Sequence, residues 1–138
     1  MIYLLDTDTC IFLIRKKSPE IFERLQTLKP GDICVSAITV AELQFGVAKS
    51  QSPLKNGQAL EAFLAPFVLL PFHAYVALSY GHIRAHLAKA GTPIGPLDTL
   101  IAAHALHEDL TLVSNNTREF LRVPGLKLTN WLKSTESR

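Results

Sequence analysis

Three carboxylates in this 138-residue chain stand where chemistry could be done. Asp6 follows the apolar run Ile2-Tyr3-Leu4-Leu5, Glu42 sits inside a mostly apolar helical stretch, and Asp98 follows Pro96 at the start of another. If the three converge, their mutual repulsion raises their pKa values unless a cation occupies the site. Hard oxygen donors without histidine or cysteine suit Mg²⁺ or Mn²⁺. Such an ion can lower the pKa of a bound water and stabilise an attacked phosphate. Each carboxylate also has a plainer reading. Asp6 can cap the following helix, Glu42 can pair with Lys49, and Asp98 can complement a helix dipole for roughly 0.3–1 kcal/mol.

The elements that would position these groups are legible in outline. Ile2–Leu5 is a short apolar run without alternation, as expected of a strand buried on both faces in a parallel sheet. Asp6 then falls at its carboxyl end, where open α/β sheets bind ligands. A helix is predicted over 9–17, capped by Thr7 or Asp8, and another from Pro19 to Leu28. Pro30-Gly31-Asp32 reads as a turn, and Ile33–Val35 as a second strand. Ser36 caps a helix from Ala37 to about Lys49 whose wheel is apolar almost all round, so it is expected to be largely buried. Glu42 shares its one polar sector with Thr39, Gly46 and Lys49. A loop over Ser50–Asn56, a helix to Ala65 and a strand Phe67–Leu70 follow.

The long helix predicted over His73–Ala90 carries Ala77, Tyr80, Ile83, Leu87 and Ala90 on one face and ends at Gly91, as a C′ glycine should. His82, Arg84 and His86 lie in it as surface or boundary residues. Thr92–Gly95 is a rigid connector, and Pro96 suits the first position of a buried helix carrying His104 as a core or edge histidine. Thr111–Val113 is a fourth strand, Thr117–Leu121 a helical turn, and Leu126–Leu128 a last strand. Alternating strands and helices imply one three-layer α/β domain over residues 1–132, with a central parallel sheet of about four to five short strands and a frayed tail over 133–138.

Composition bounds the function classes. Hydrophobic residues make up 48% and charged residues 19%, which supports a core and excludes a disordered tail. A net charge of +2 is too small to imply a broad basic surface. Cys10 and Cys34 stand in apolar surroundings with neither zinc spacing nor a disulfide framework. No apolar run approaches the ~18 residues of a spanning helix. The expectation is a soluble, cytoplasmic protein without a membrane segment. Mean hydropathy of +0.20 is high for the chain's size and points to exposed apolar interaction surfaces.

Four stretches, in order and at this spacing, resemble the PIN-domain ribonucleases, and among them the VapC toxins of type II toxin–antitoxin pairs. They are Leu5-Asp6-Thr7-Asp8-Thr9-Cys10-Ile11, Ser36–Val47 around Ala41-Glu42-Leu43, Gly91-Thr92-Pro93-Ile94-Gly95-Pro96-Leu97-Asp98, and Leu112-Val113-Ser114-Asn115-Asn116-Thr117-Arg118-Glu119-Phe120. The resemblance runs nearly end to end. It implies a PIN-like fold and an Mg²⁺-dependent endoribonuclease, with Mn²⁺ able to substitute. Its acidic residues fall on Asp6, Glu42 and Asp98, with Asp6 and Asp98 holding the ion and Glu42 as a third ligand or as orienter of the attacking water. It further implies an RNA substrate, a VapB-type antitoxin that blocks the acidic pocket, and a homodimer.

The chain departs from the usual pattern in three places. Asp8 stands where Asn is usual, Leu97 where Asn is common, and Asn116 where many relatives carry a fourth Asp. Ser114 occupies a place often held by Thr. Asp8, Ser114, Asn116 and Glu119 are therefore the candidates for supporting the site or holding a second ion. Lys49, Arg84 and Arg118 are candidate phosphate contacts, with solvated surface charge as the alternative for each. Two other readings compete: a haloacid-dehalogenase-like phosphatase using Asp6 and Asp8, and an inactive PIN scaffold that binds RNA or an antitoxin.

Overall fold

A computed structural model describes residues 1–16 and 19–131 of the chain. Leu132 and the tail expected to fray over 133–138 lie outside the described residues, as does Lys17 at the end of the first predicted helix.

Five strands form one parallel sheet: β1 (Tyr3–Leu5), β2 (Ile33–Ser36), β3 (Val68–Leu70), β4 (Thr111–Val113) and β5 (Leu128–Thr129), in the order β3-β2-β1-β4-β5. β1 pairs with β2 through Leu4–Cys34 and with β4 through Leu4–Leu112. Successive side chains on a strand face opposite ways, and here both ways are apolar. Leu4, Cys34 and Leu112 face one core with α5 (Val76–Lys89) and α6 (Pro96–His107). Leu5, Val35 and Val113 face the other with α1 (Thr7–Lys16), α2 (Pro19–Gln26), α3 (Ala37–Ala48) and α4 (Pro53–Leu64). Burial on both faces is why β1, β2 and β4 read as unbroken apolar runs. α7 (Thr117–Phe120) follows β4 and inserts Phe120 into the first core.

The order reverses at β1: the chain leaves it toward β2 and β3 on one side and returns to β4 and β5 on the other. A crevice opens at such a switch point, outside the carboxyl ends of the strands. Asp6 ends β1 there, and its N–H donates to the Val113 carbonyl at 3.1 Å, so Asp6 and Ser114 are neighbours across the sheet.

Several boundaries differ from expectation. α1 begins at Thr7, so neither Thr7 nor Asp8 is its cap; Asp6 is, accepting the Thr9 N–H on Oδ1 at 2.8 Å and the Cys10 N–H on its carbonyl at 3.1 Å. α4 begins at Pro53, inside the expected loop, with proline in the first turn where its missing N–H costs nothing. α5 begins at Val76 and buries Val76, Ile83 and Leu87, leaving Ala77 and Ala90 exposed. β5 is Leu128–Thr129, later than the predicted 126–128. α3 is not largely buried: only Thr39 and Leu43 are, while Ala41 and Phe45 are exposed. Thr39 and Glu42 of its polar sector turn toward α1 because Thr7 there supplies a hydrogen-bond partner, which a helical wheel does not show.

Candidate active site

Asp6 is held from several directions. β1 ends because its pairing with β2 and β4 ends at Leu5, and α1 starts at once. Asp6 is 3% exposed, yet its carboxylate faces the crevice. Burial raises its pKa, opposed by hydrogen bonds from Ser114 and Thr9, with Asp8 pushing it up further. Ser114 is itself buried and pinned, its Oγ accepting the Asn116 N–H at 2.8 Å.

Glu42 comes from the inward sector of α3. The Thr7 hydroxyl lies 2.6 Å from Glu42 Oε1 and 3.2 Å from Thr39 Oγ1. Thr7 has one proton, and the shorter contact to a carboxylate takes it. The fully buried Thr39 hydroxyl then donates to Thr7, so two threonines in series hold one oxygen of Glu42. α3 is anchored in turn by Ser36, whose Oγ accepts the Ile38 N–H at 3.1 Å and lies 2.8 Å from His104 Nδ1. His104 is fully buried, desolvation lowers its pKa, and its Nδ1 shares one hydrogen bond with the Ser36 hydroxyl. It is a core histidine.

Asp98 is placed by the connector before α6. Gly91 adopts φ +73°, the left-handed conformation that ends α5. Arg122 donates to the Pro93 carbonyl at 3.0 Å, and the Thr99 hydroxyl to the Gly95 carbonyl at 2.8 Å. Asp98 is half-buried in the first turn of α6, and its pKa is pushed up to about 6. Desolvation is the main cause, followed by repulsion from Asp6, Glu119, Asp8 and Glu42. Four carboxylates, from the end of β1, from α1, from α3 and from α7, thus act on one group in α6.

These residues line a cleft of about 730 Å³ that includes Asp6, Asp8, Glu42 and Asp98. Lys49 and Arg15 line it too, whereas Arg84 and Arg118 do not. Arg84 donates to Tyr80 Oη at 2.6 Å and borders a separate hollow behind α6. Asn116 caps α7 beside Ser114, and Glu119 approaches Asp98 electrostatically. Sequence reasoning missed Thr7, Thr39 and Arg15 as parts of the site. Arg15 had a signal: Asp8, Ile11 and Arg15 follow helical spacing along one face of α1. Thr7 had none, since only the packing of α1 on α3 sets it beside Glu42.

The donor set is all oxygen and carries excess negative charge, which fits a hard divalent cation. Among the described residues, no three His, Cys, Asp or Glu side chains are already drawn round one point as ligands. The fit therefore rests on charge and donor type.

A short parallel sheet with carboxylates gathered at its switch point defines the class. The PIN-domain family model matches residues 3–126, and the chain belongs to that family. The particular relatives are VapC proteins. The chain is 43% identical over 129 residues to the tRNA(fMet)-specific endonuclease VapC of Salmonella typhimurium, covering 94% of this chain and 97% of that one. It is 42% identical to ribonuclease VapC2 of Rickettsia felis, covering 96% and 100%. Its fold matches a chain of DNA-bound VapBC from Salmonella typhimurium with a TM-score of 0.92, at 41% identity over 95% of this chain and 98% of that chain. VapBC2 of Rickettsia felis, bound to a promoter DNA fragment, matches with a TM-score of 0.91 at 41% identity over 95% and 99%.

Proposed function

We propose that this chain is the ribonuclease toxin of a toxin–antitoxin pair, a metal-dependent endonuclease that hydrolyses RNA phosphodiester bonds. The observation that carries the reading is the convergence of four carboxylates, Asp6, Asp8, Glu42 and Glu119, on Asp98, whose pKa desolvation first and their repulsion second lift to about 6. An uncompensated cluster of this kind costs stability, and a bound dication relieves it.

Asp6 and Asp98 are the residues to hold the ion, Mg²⁺ or in its place Mn²⁺. When bound, the ion supplies Lewis-acid polarisation of water and phosphate. Glu42, fixed by Thr7, orients the attacking water and accepts its proton. The water oxygen bonds to phosphorus as the bond to the leaving ribose oxygen breaks. Lys49 and Arg15 supply positive charge at the walls for the backbone phosphates. Arg84 and Arg118, outside the cleft, are left to flanking contacts. Asp8, Ser114, Asn116 and Glu119 support the site rather than carry the step.

The partner is a VapB-type antitoxin that covers the acidic cleft, and the chain forms a homodimer. Exposed apolar side chains support both contacts: Leu54 and Leu69 along a groove of about 600 Å³ beside α4, and Tyr75 and Leu78 at the start of α5. Among the described residues no helix is long and apolar enough to cross a membrane. The haloacid-dehalogenase alternative is disfavoured by membership of the PIN family. Its late acidic pair is also missing, because β4 is followed by Ser114, Asn115 and Asn116.

The test incubates the purified chain with cellular RNA and with initiator tRNA, the substrate in the Salmonella relative's name. RNA 5′ ends are then sequenced with Mg²⁺, with Mn²⁺ and with a chelator. Discrete new ends that need the metal and disappear in Asp98→Asn are expected. Cleavage that ignores the chelator, or persists in Asp98→Asn, sinks the reading.

A further inference from the structure

We propose that Phe45 is the base-stacking platform of this cleft, holding an unpaired nucleobase beside the scissile phosphate while Lys49 meets that nucleotide's backbone. The substrate it fits is single-stranded RNA or an RNA loop. The inference rests on the ribonuclease reading above and deepens it.

Phe45 is 66% exposed, although the wheel of α3 would bury it. A single exposed apolar side chain is ordinary, but this one lines the same cleft as the carboxylates. Glu42 and Phe45 are three residues apart on one helix, a spacing that sets Cβ atoms about 5–6 Å apart. A base resting on Phe45 therefore keeps its own phosphate within reach of Glu42 and the other acids. Lys49, one turn further, places Nζ 5.0 Å from the Phe45 ring centroid. The ammonium lies over one face of the ring, so the base takes the opposite face of this exposed side chain and the lysine turns to that nucleotide's phosphate.

Charge gives a second reason. Four acidic side chains line the cleft, and RNA is repelled unless something offsets them. Arg15 and Lys49 are the cations in the lining, and only Lys49 is coupled to an aromatic ring. The neighbouring wall, Ile38, Ala41 and Leu97, has no side-chain donors or acceptors to read base edges. An aromatic face beside a cation is how single strands are bound with little sequence preference. A base in a duplex has no free face to offer, so the platform selects unpaired nucleotides.

The experiment has a kinetic and a spectroscopic arm. With a short single-stranded RNA as substrate, Phe45→Ala is expected to raise KM about 5- to 150-fold, the range for loss of one base–aromatic stack, with a much smaller change in kcat. Phe45→Tyr should stay within about threefold of the parent, because it keeps the ring. The chain's single tryptophan, Trp131, is buried at 3% exposure. Phe45→Trp therefore adds a fluorophore whose environment differs from it. In the cleavage-blocked pair Phe45→Trp with Asp98→Asn, the single strand should quench the added emission saturably, and the same sequence as a duplex should not. Unchanged KM in Phe45→Ala, or RNA binding without quenching, overturns the platform. So does a variant that loses only antitoxin affinity or dimer mass, since Phe45 then belongs to a protein interface. Saturable quenching in the double variant with no cleavage by the parent chain would uphold the platform and remove the nuclease reading instead.

Discussion

Replacing Asp98 by Asn should abolish RNA cleavage and, in the metal-free chain, raise stability. Asp98 is carried from 3.8 to about 6 by desolvation first, then by repulsion from Asp6, Glu119, Asp8 and Glu42. At 1.36 kcal/mol per pKa unit that shift is worth about 3 kcal/mol. Asp98 is only half-buried, so solvent screening brings the figure to about 1–2 kcal/mol. The favourable helix-dipole contribution of a first-turn carboxylate, roughly 0.3–1 kcal/mol, acts the other way and does not overturn the sign. A raised carboxyl pKa means that stability is complete below 3.8 and is lost as pH climbs toward about 6. Asp98→Asn should therefore match the parent near pH 4 and melt roughly 3–8 °C higher at pH 7.5 without metal. Adding Mg²⁺ should raise the melting temperature of the parent and scarcely move the variant. Thermal melts across pH 4–8, with and without Mg²⁺, make the comparison alongside a cleavage assay. A melting difference that is the same at pH 4 and pH 7.5, or a variant less stable than the parent at pH 7.5, would refute the electrostatic account.

Thr7→Val removes the hydroxyl that holds Glu42 at 2.6 Å and should lower kcat about 10- to 100-fold with little change in KM, while Thr7→Ser stays near the parent. Equal kcat in Thr7→Val would show that Glu42 does not depend on that bond. Ser36→Ala leaves the Ile38 N–H and His104 Nδ1 without their partner in a buried site, and urea unfolding should show a loss of about 1–3 kcal/mol; a neutral result would mean that water replaces the hydroxyl. With Asn116 beside Ser114 and no fourth carboxylate in that place, a calorimetric Mn²⁺ titration should show one tight ion in the parent and a stronger second event in Asn116→Asp. Two equally tight ions in the parent, unaffected by Glu119→Gln, would contradict this.

The three central strands, and the position of Asp6 at the end of the first, were legible because a strand buried on both faces leaves an unbroken apolar run that stops at a polar residue. The start of α6 was equally readable, since proline restricts where a helix begins and so sets Asp98 in its first turn. Local chemistry carries such signals. Which residue caps α1 could not be read, because Asp6, Thr7 and Asp8 are all competent caps. The pairing of β1 on both sides ends at Leu5 and decides for Asp6. The facing of α3 was likewise undetermined: its wheel shows which residues are apolar, but not that the Thr7 hydroxyl waits on α1 to satisfy Glu42. Hence Thr39 is buried and Phe45 stands in the open cleft, the reverse of what polarity alone implies. Gathering the acids is also tertiary. Parallel register brings Ser114 beside Asp6, and the packing of α6 brings Asp98 near both, because repulsion among carboxylates far apart in the chain exists only once the sheet has set their separation.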